Sequence, residues 1–411
     1  MAAILDDSEL DDLRAIGDPS ADKVVSDLRQ EFPELDDRHV IARVITALRT
    51  SPDAQSPWVR RWFEDPPTLP PWASPAKIKR GQQFFDSWTL DIATTLFCAS
   101  LPCAYASAKG VEVLSLTSDL ATNNITRRIA ETGQMLIDVM DLGRADPRTL
   151  SPGGRGYTSA RGVRLLHAVI RYSILHSGHV QPTSDETVPL RWCMDWGCPI
   201  NQEDLLGTFL TFTTVVFAAL GRLGVPVDPV DADAYLHTWS VIGFLLGIGP
   251  GHLPIERPEA EGLAGLIFSR QHQRSEAGIR LMRALLEEME LSMPWGLRKL
   301  PRTLVRHLAS DETADLLLVP PAAWWRPILD EATVASRMLA RVPGGRTIVR
   351  APSGLLGRSM VRRYIDQGEH GEAPPYRVDP QVLARLRIGT SPFRRRARRV
   401  RRTLRHYARP K

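Results

Sequence analysis

Asp119-Leu-Ala-Thr-Asn-Asn-Ile-Thr-Arg-Arg-Ile-Ala-Glu-Thr-Gly-Gln-Met-Leu-Ile-Asp-Val-Met140 and, after a Gly-rich loop, Ser159-Ala-Arg-Gly-Val-Arg-Leu-Leu-His-Ala-Val-Ile-Arg-Tyr-Ser-Ile-Leu-His176 decide the fold of this chain. In the first stretch Ile125, Ile129, Leu136 and Val139 recur at helical spacing and make one apolar stripe. Thr132 interrupts that stripe, and Arg128, one turn earlier, shares its side of the helix. In the second, Val163, Leu166, Ile170 and Ile174 form the apolar face, and His167 lies on it. Arg164 stands three residues before His167 and Arg171 four after, so both flank the imidazole. Two neighbouring helices thus each place polar groups on a face meant for the core.

Each of these residues has an ordinary explanation. A histidine on an apolar face is most often a core residue bonded to a carbonyl. A helical threonine often bonds back to its own helix, and arginines snorkel to the surface. The conjunction also suits a cofactor. A neutral imidazole on a buried face is a natural axial ligand for haem iron, and guanidinium groups pair bidentately with carboxylates such as propionates. His176, at the end of the same helix, is the alternative ligand; an ordinary role for it and for His179 is to meet terminal carbonyls.

Thr126-Arg-Arg-Ile-Ala-Glu-Thr-Gly133 and Arg164-Leu-Leu-His-Ala-Val-Ile-Arg171 resemble the core of the MpaB/latex-clearing-protein oxygenase family. Asn201-Gln-Glu-Asp-Leu-Leu-Gly-Thr208 and Phe97-Cys-Ala-Ser-Leu-Pro-Cys-Ala-Tyr105 fit the same family, and the resemblance covers roughly residues 81–300. It implies an all-α, globin-like domain holding haem b. It implies that His167 is the proximal iron ligand, with Arg164 and Arg171 beside it, and that Arg128 and Thr132 form the distal pair. Rubber-cleaving members carry a Lys before that Thr, where this chain has Glu131. Capping of the iron by a lysine is therefore not expected, and a rubber-like substrate does not follow. Glu112 matches the family's catalytic glutamate by its distance from Arg128, though not by its local sequence. Glu131 and Glu112 are the candidates for a base or proton relay.

The rest of the chain sets the frame. The 411 residues, 43% hydrophobic and 24% charged, are those of a soluble globular protein with material for a sizeable core. Four cysteines make no disulfide framework. Cys98-x4-Cys103 and Cys193-x4-Cys198 allow a structural zinc protein as an alternative, although the spacing is wide for thiolate sites. The acidic start, with Asp6, Asp7, Glu9, Asp11 and Asp12, lacks a basic and apolar leader, so a cytoplasmic protein is expected. The uncharged runs 205–221 and 234–255 read as buried core helices. No HExxH, GxSxG or GxxxxGK[ST] motif occurs.

Three regions follow: a helical arm over 1–75, closed by Pro66-Pro67 and Pro70-Pro71; the haem-binding helical domain over 76–345; and a basic extension over 346–411. From Ser391 on, the tail carries nine Arg and one Lys with no acid. Phe393, Val400, Leu404 and Tyr407 would line one side of a helix there, which suits an anionic membrane surface and, equally, docking on an acidic face of the chain's own body or N-terminal arm; nucleic acid is the less expected partner. The reading is an oxygenase that takes O2 and an apolar, small-molecule or lipid-like substrate, unsaturated ones included. The alternative is a non-catalytic helical binding protein of the same fold.

Overall fold

The structure is a computed structural model that describes residues 5–31, 62–63, 69–117, 123–176, 180–181, 192–321, 326–342, 344–345, 347, 349–350, 353–354 and 357. It is all-α. Among the described residues the strands are two, Val180–Gln181 and Trp192–Cys193, paired in parallel with Val180 opposite Trp192. The amphipathic stretch 38–49, the prolines at 66–67, His179 and the tail 391–411 lie outside the described residues.

The chain opens with α1 (Asp7–Ala15) and α2 (Pro19–Glu31). Asp6 and Glu9 close a capping box on α1, each accepting the other's backbone N–H. Asp18 starts α2 by accepting the Ala21 N–H, just ahead of Pro19. Next come α3 (Pro75–Ser87), α4 (Thr89–Thr95) and α5 (Leu101–Ala106). The sequence predicts one helix over 81–105. The chain instead breaks at Trp88, then widens into a π turn over Leu96–Ser100. Pro102, which has no N–H to give Cys98 and whose ring crowds that carbonyl, accounts for the wide turn.

After α6 (Val111–Thr117), α7 (Asn123–Met140) and α8 (Arg155–His176) are the two deciding helices. The loop between them holds the short 3-10 turn Pro147–Leu150. Thr149 ties them: its hydroxyl donates to Asp138 O at 3.1 Å and accepts Gly156 N–H at 3.0 Å. A Cβ on Gly156 would stand 2.7 Å from Asp138 O, so only glycine allows this approach.

The run 205–221 forms α9 (Gln202–Phe212) and α10 (Thr214–Arg222), broken at Thr213. The apolar helix α11 (Pro229–Leu245) is buried on nearly every side. It lies against α3, where a Cβ on Gly81 would meet Ala234 O at 2.5 Å. Phe84, Phe212, Phe217, Tyr235 and Trp239 pack as an aromatic cluster in this core. The long helix expected from 258 to 291 is two, α12 (Arg257–Gln271) and α13 (Glu276–Leu291), because Ser275 caps a new helix start. Helices α14 (Leu300–Leu308), α15 (Asp311–Leu316) and α16 (Arg326–Arg341) complete the described body. The stretches Thr89–Ala106 and Gln202–Arg222 are long and apolar enough to cross a membrane by length and composition; about half of each is buried.

The N-terminal helices are docked on the body. Arg14 Nη1 meets Glu203 at 3.1 Å and Asp204 at 3.0 Å, and its Nε donates to Trp196 O at 2.9 Å. Arg270 of α12 reaches Asp7, Asp11 and Glu203. The backbone of the α1–α2 turn is held as well: Gln202 N–H donates to Ile16 O, and its side-chain amide to Gly17 O at 2.7 Å.

Candidate functional site

His167 sits midway along α8, the helix that packs on both α7 and α2. Burial pushes its pKa down to about 4, with Arg171 adding to that and Asp18 opposing it. The ring is therefore neutral near pH 7, the form that ligates a metal. Its Nδ1 is sealed from solvent and has no hydrogen-bond partner. An orphaned buried nitrogen on a neutral imidazole fits an axial ligand, whose unmet valence a bound iron would satisfy.

The flanking arginines are already partnered. Arg164 holds Asp18 bidentately, Nε to Oδ2 at 2.5 Å and Nη2 to Oδ1 at 2.8 Å. Arg171, only 2% exposed, donates to Pro199 O at 2.9 Å, to Ile200 O at 2.8 Å and to Asp22. Burial raises the Asp22 carboxyl, with Arg171 opposing. The geometry thus has both arginines tying α8 down, to the start of α2 and to the turn entering α9. Ile200 takes a positive φ of 53°, which turns its carbonyl toward Arg171 as the chain enters α9. Asn201 caps that helix as the sequence predicts, accepting Asp204 N–H at 2.9 Å.

On α7, Arg128 lies near Tyr105 and Glu131; burial lowers its pKa and both partners oppose that. Thr132 is exposed, and its hydroxyl donates to Arg128 O at 3.0 Å. Two of the three α7 candidates thus share one electrostatic environment, while the Thr132 proton is directed to its own helix. Glu112 is on α6, with Arg280 of α13 opposing the burial that raises its pKa. Arg280 also donates to Ser115 at 3.2 Å. The charge that acts on Glu112 thus comes from α13.

His176 is exposed, stacks on Tyr172 with ring centroids 3.9 Å apart and bonds Tyr172 O through Nδ1 at 2.8 Å. That is an ordinary helix-end histidine. The zinc alternative finds no support. Cys98 lies in an apolar cluster, burial pushes the Cys98 and Cys103 thiols up to about 12, and among the described residues no group of three or more His, Cys, Asp or Glu is arranged to hold a metal ion. Sequence reasoning passed over a second interior histidine, His272, whose Nε2 is also sealed without a partner and whose pKa falls to about 4 through burial. It stacks on Phe268 at 4.7 Å, four residues earlier, which is the signal that was available. Glu203 was missed too. It is fully buried and accepts from Arg14, Arg270 and Gln271.

These features define an all-helical protein in which an imidazole with an unpartnered Nδ1 stands between two arginine–carboxylate pairs. The chain belongs to the family described as "ER-bound oxygenase mpaB/B'/Rubber oxygenase, catalytic domain", whose model matches residues 95–409. That match runs past residue 345, where sequence reading closed the helical domain. The rubber oxygenase of Streptomyces sp. (strain K30) is 27% identical over 199 residues, covering 48% of this chain and 44% of the relative; the match thus spans less than half of that protein's length. The solved structure of latex clearing protein LCP in the closed state superposes with a TM-score of 0.62 at 19% identity, covering 86% of this chain and 91% of the other. At that identity the likeness establishes the shared fold.

Proposed function

We propose that the chain is a haem b-dependent oxygenase that combines O2 with an apolar, small-molecule or lipid-like substrate. Family membership supports the reaction class. The observation that carries the cofactor is the sealed, partnerless Nδ1 of a neutral His167 on the motif helix. Haem iron, when bound, supplies the activation of O2. His167 holds it from one side. Arg164 and Arg171 fix the helix that bears His167. Arg128 would offer its guanidinium as a hydrogen-bond donor to O2. Thr132 would offer its hydroxyl likewise, on turning it from Arg128 O. Glu112, raised toward neutrality by burial, holds or releases a proton at its carboxyl, and Glu131 is the second candidate for that relay. With Glu131 where rubber-cleaving members carry a lysine, no lysine at that position would compete with small ligands for the iron. The basic stretch 391–411 would bring the protein to anionic membrane surfaces where apolar substrate concentrates.

Purified protein should show a Soret band and release haem b on extraction. His167→Ala should lose it and His176→Ala should keep it. A colourless wild type that takes up no haem on reconstitution refutes the reading.

A further inference from the structure

We infer that Asp18 is a positioning residue for His167, acting through Arg164, so that the start of α2, which lies ahead of the family match, is part of the cofactor-holding apparatus. The inference rests on the haem reading above. Its ground is the geometry around α8. Arg164, His167 and Arg171 share one side of that helix at positions i, i+3 and i+7. Both guanidinium groups end on carboxylates at the start of α2, Arg164 on the capping Asp18 and Arg171 on Asp22 of the first turn. The Asp18 side chain is 4% exposed and that of Arg164 12%, so this pair is screened little by solvent.

Asp18 is itself held rigidly. It accepts the Ala21 N–H, while its own N–H donates to Asp22 Oδ2 at 3.1 Å. The two carboxylates are thus coupled to each other as well as to the two arginines. Two glycines make room for the arrangement. A Cβ on Gly17 would stand 2.6 Å from Arg171 Nε, and one on Gly247 2.3 Å from Asp18 Oδ2 and 2.7 Å from Arg164 Nε. Side chains at either place would push the arginines off their partners. Gln202 closes the set by donating to both Gly17 O and Gly247 O, at 2.7 and 3.1 Å.

The consequence is mechanical. A metal-bound histidine keeps its orientation only as well as the groups around it are fixed. Here the residues one turn either side of His167 are clamped by a segment about 150 positions earlier in the chain. Arg171 is also tied to the turn entering α9. Arg164 has Asp18 as its carboxylate partner, so Asp18 is where the clamp is most exposed to a single substitution.

Asp18→Asn is the discriminating variant. Asparagine keeps an oxygen for the Ala21 N–H and remains a good helix cap. It removes the charge and one of the two acceptors of Arg164. Transfer of haem from the holoprotein to excess apomyoglobin should become about 10–100-fold faster, the range for losing a group that orients a metal ligand. The low-spin electron paramagnetic resonance signal of the ferric cyanide complex should change its rhombicity, because imidazole orientation contributes to it. Asp18→Glu, which restores the charge, should return the transfer rate part of the way. Asp11→Asn removes a partner of Arg270 far from His167 and should leave haem loss within about twofold.

If Asp18→Asn does not fold, Gly17→Ala keeps every charge, displaces Arg171 and should also speed haem loss. A transfer rate and spectrum unchanged in Asp18→Asn overturn the inference while leaving the haem reading intact. An equal acceleration in Asp11→Asn also overturns it, since the effect would then be general loosening. A wild type that binds no haem removes both, and is seen before any variant is made.

Discussion

Lowering the pH should destabilise this protein through His272, and the size of the effect follows from its surroundings. Its pKa falls from 6.5 to about 4 because burial disfavours the imidazolium, with only a bond to Cys103 O opposing. The unfolded chain binds the proton more tightly than the folded one. Stability from this residue is therefore complete above the unfolded value and is lost as pH falls through the window from 6.5 to about 4. Between pH 7 and pH 5 the linkage relation gives a loss of ~2 kcal/mol from this residue alone. Carboxyls raised by burial, Asp22, Glu112, Asp138 and Asp204 among them, act in the opposite sense and bind protons on folding as the pH falls. The difference between wild type and His272→Gln isolates the histidine from that background. Urea midpoints of both proteins at pH 7, 6 and 5 measure it. At pH 7 the wild type should be the more stable or equal. By pH 5 the balance should have moved toward the variant by about the linkage amount. A wild-type-minus-variant difference that stays constant from pH 7 to 5 would mean that His272 is protonated or solvated in the folded state, and the reasoning from burial fails.

Glu203→Ala should cost about 3 kcal/mol by denaturant melting, near the lower end for breaking a buried pair, because Arg14 keeps Asp204 and Trp196 O as partners. A cost below about 1 kcal/mol would show that the N-terminal helices are not held by this network. Deleting residues 391–411 should reduce sedimentation with anionic liposomes at low salt and leave the Soret band unchanged. A full-length protein that ignores such vesicles refutes the membrane role of the tail.

Periodicity made the pairing of α7 with α8 readable, and with it the all-helical class, since both helices show a stripe strong enough to need a partner. Helix breaks were less readable. Those at Trp88 and Thr213 occur without glycine or proline at the break, so nothing local announces them. The break before α13 did carry a signal: Ser275 accepts Gly278 N–H at 3.1 Å, and a serine followed by Glu276 is an ordinary helix start. It was hidden because the polar residues around it also suit an exposed helix face.

The candidate site shows the same limit more sharply. Spacing placed Arg164 and Arg171 beside His167, but spacing says which side of a helix a residue occupies and nothing about what arrives there. Free guanidinium groups beside an imidazole suggest waiting anions. Asp18 and Asp22 are those anions, supplied by the chain itself from a segment that looks, in sequence, like a detached acidic arm. Part of the acidity near the N-terminus is structural charge: Asp18 is 3% exposed. The same applies to Glu203, whose burial depends on Arg14 from one side and Arg270 from the other. In each case the arginine and its carboxylate lie tens to hundreds of positions apart, and only the folded chain shows that they meet. Arg164 and Arg171 are thereby committed to holding α8 in place, so their charge is met by the chain itself before any anionic ligand arrives.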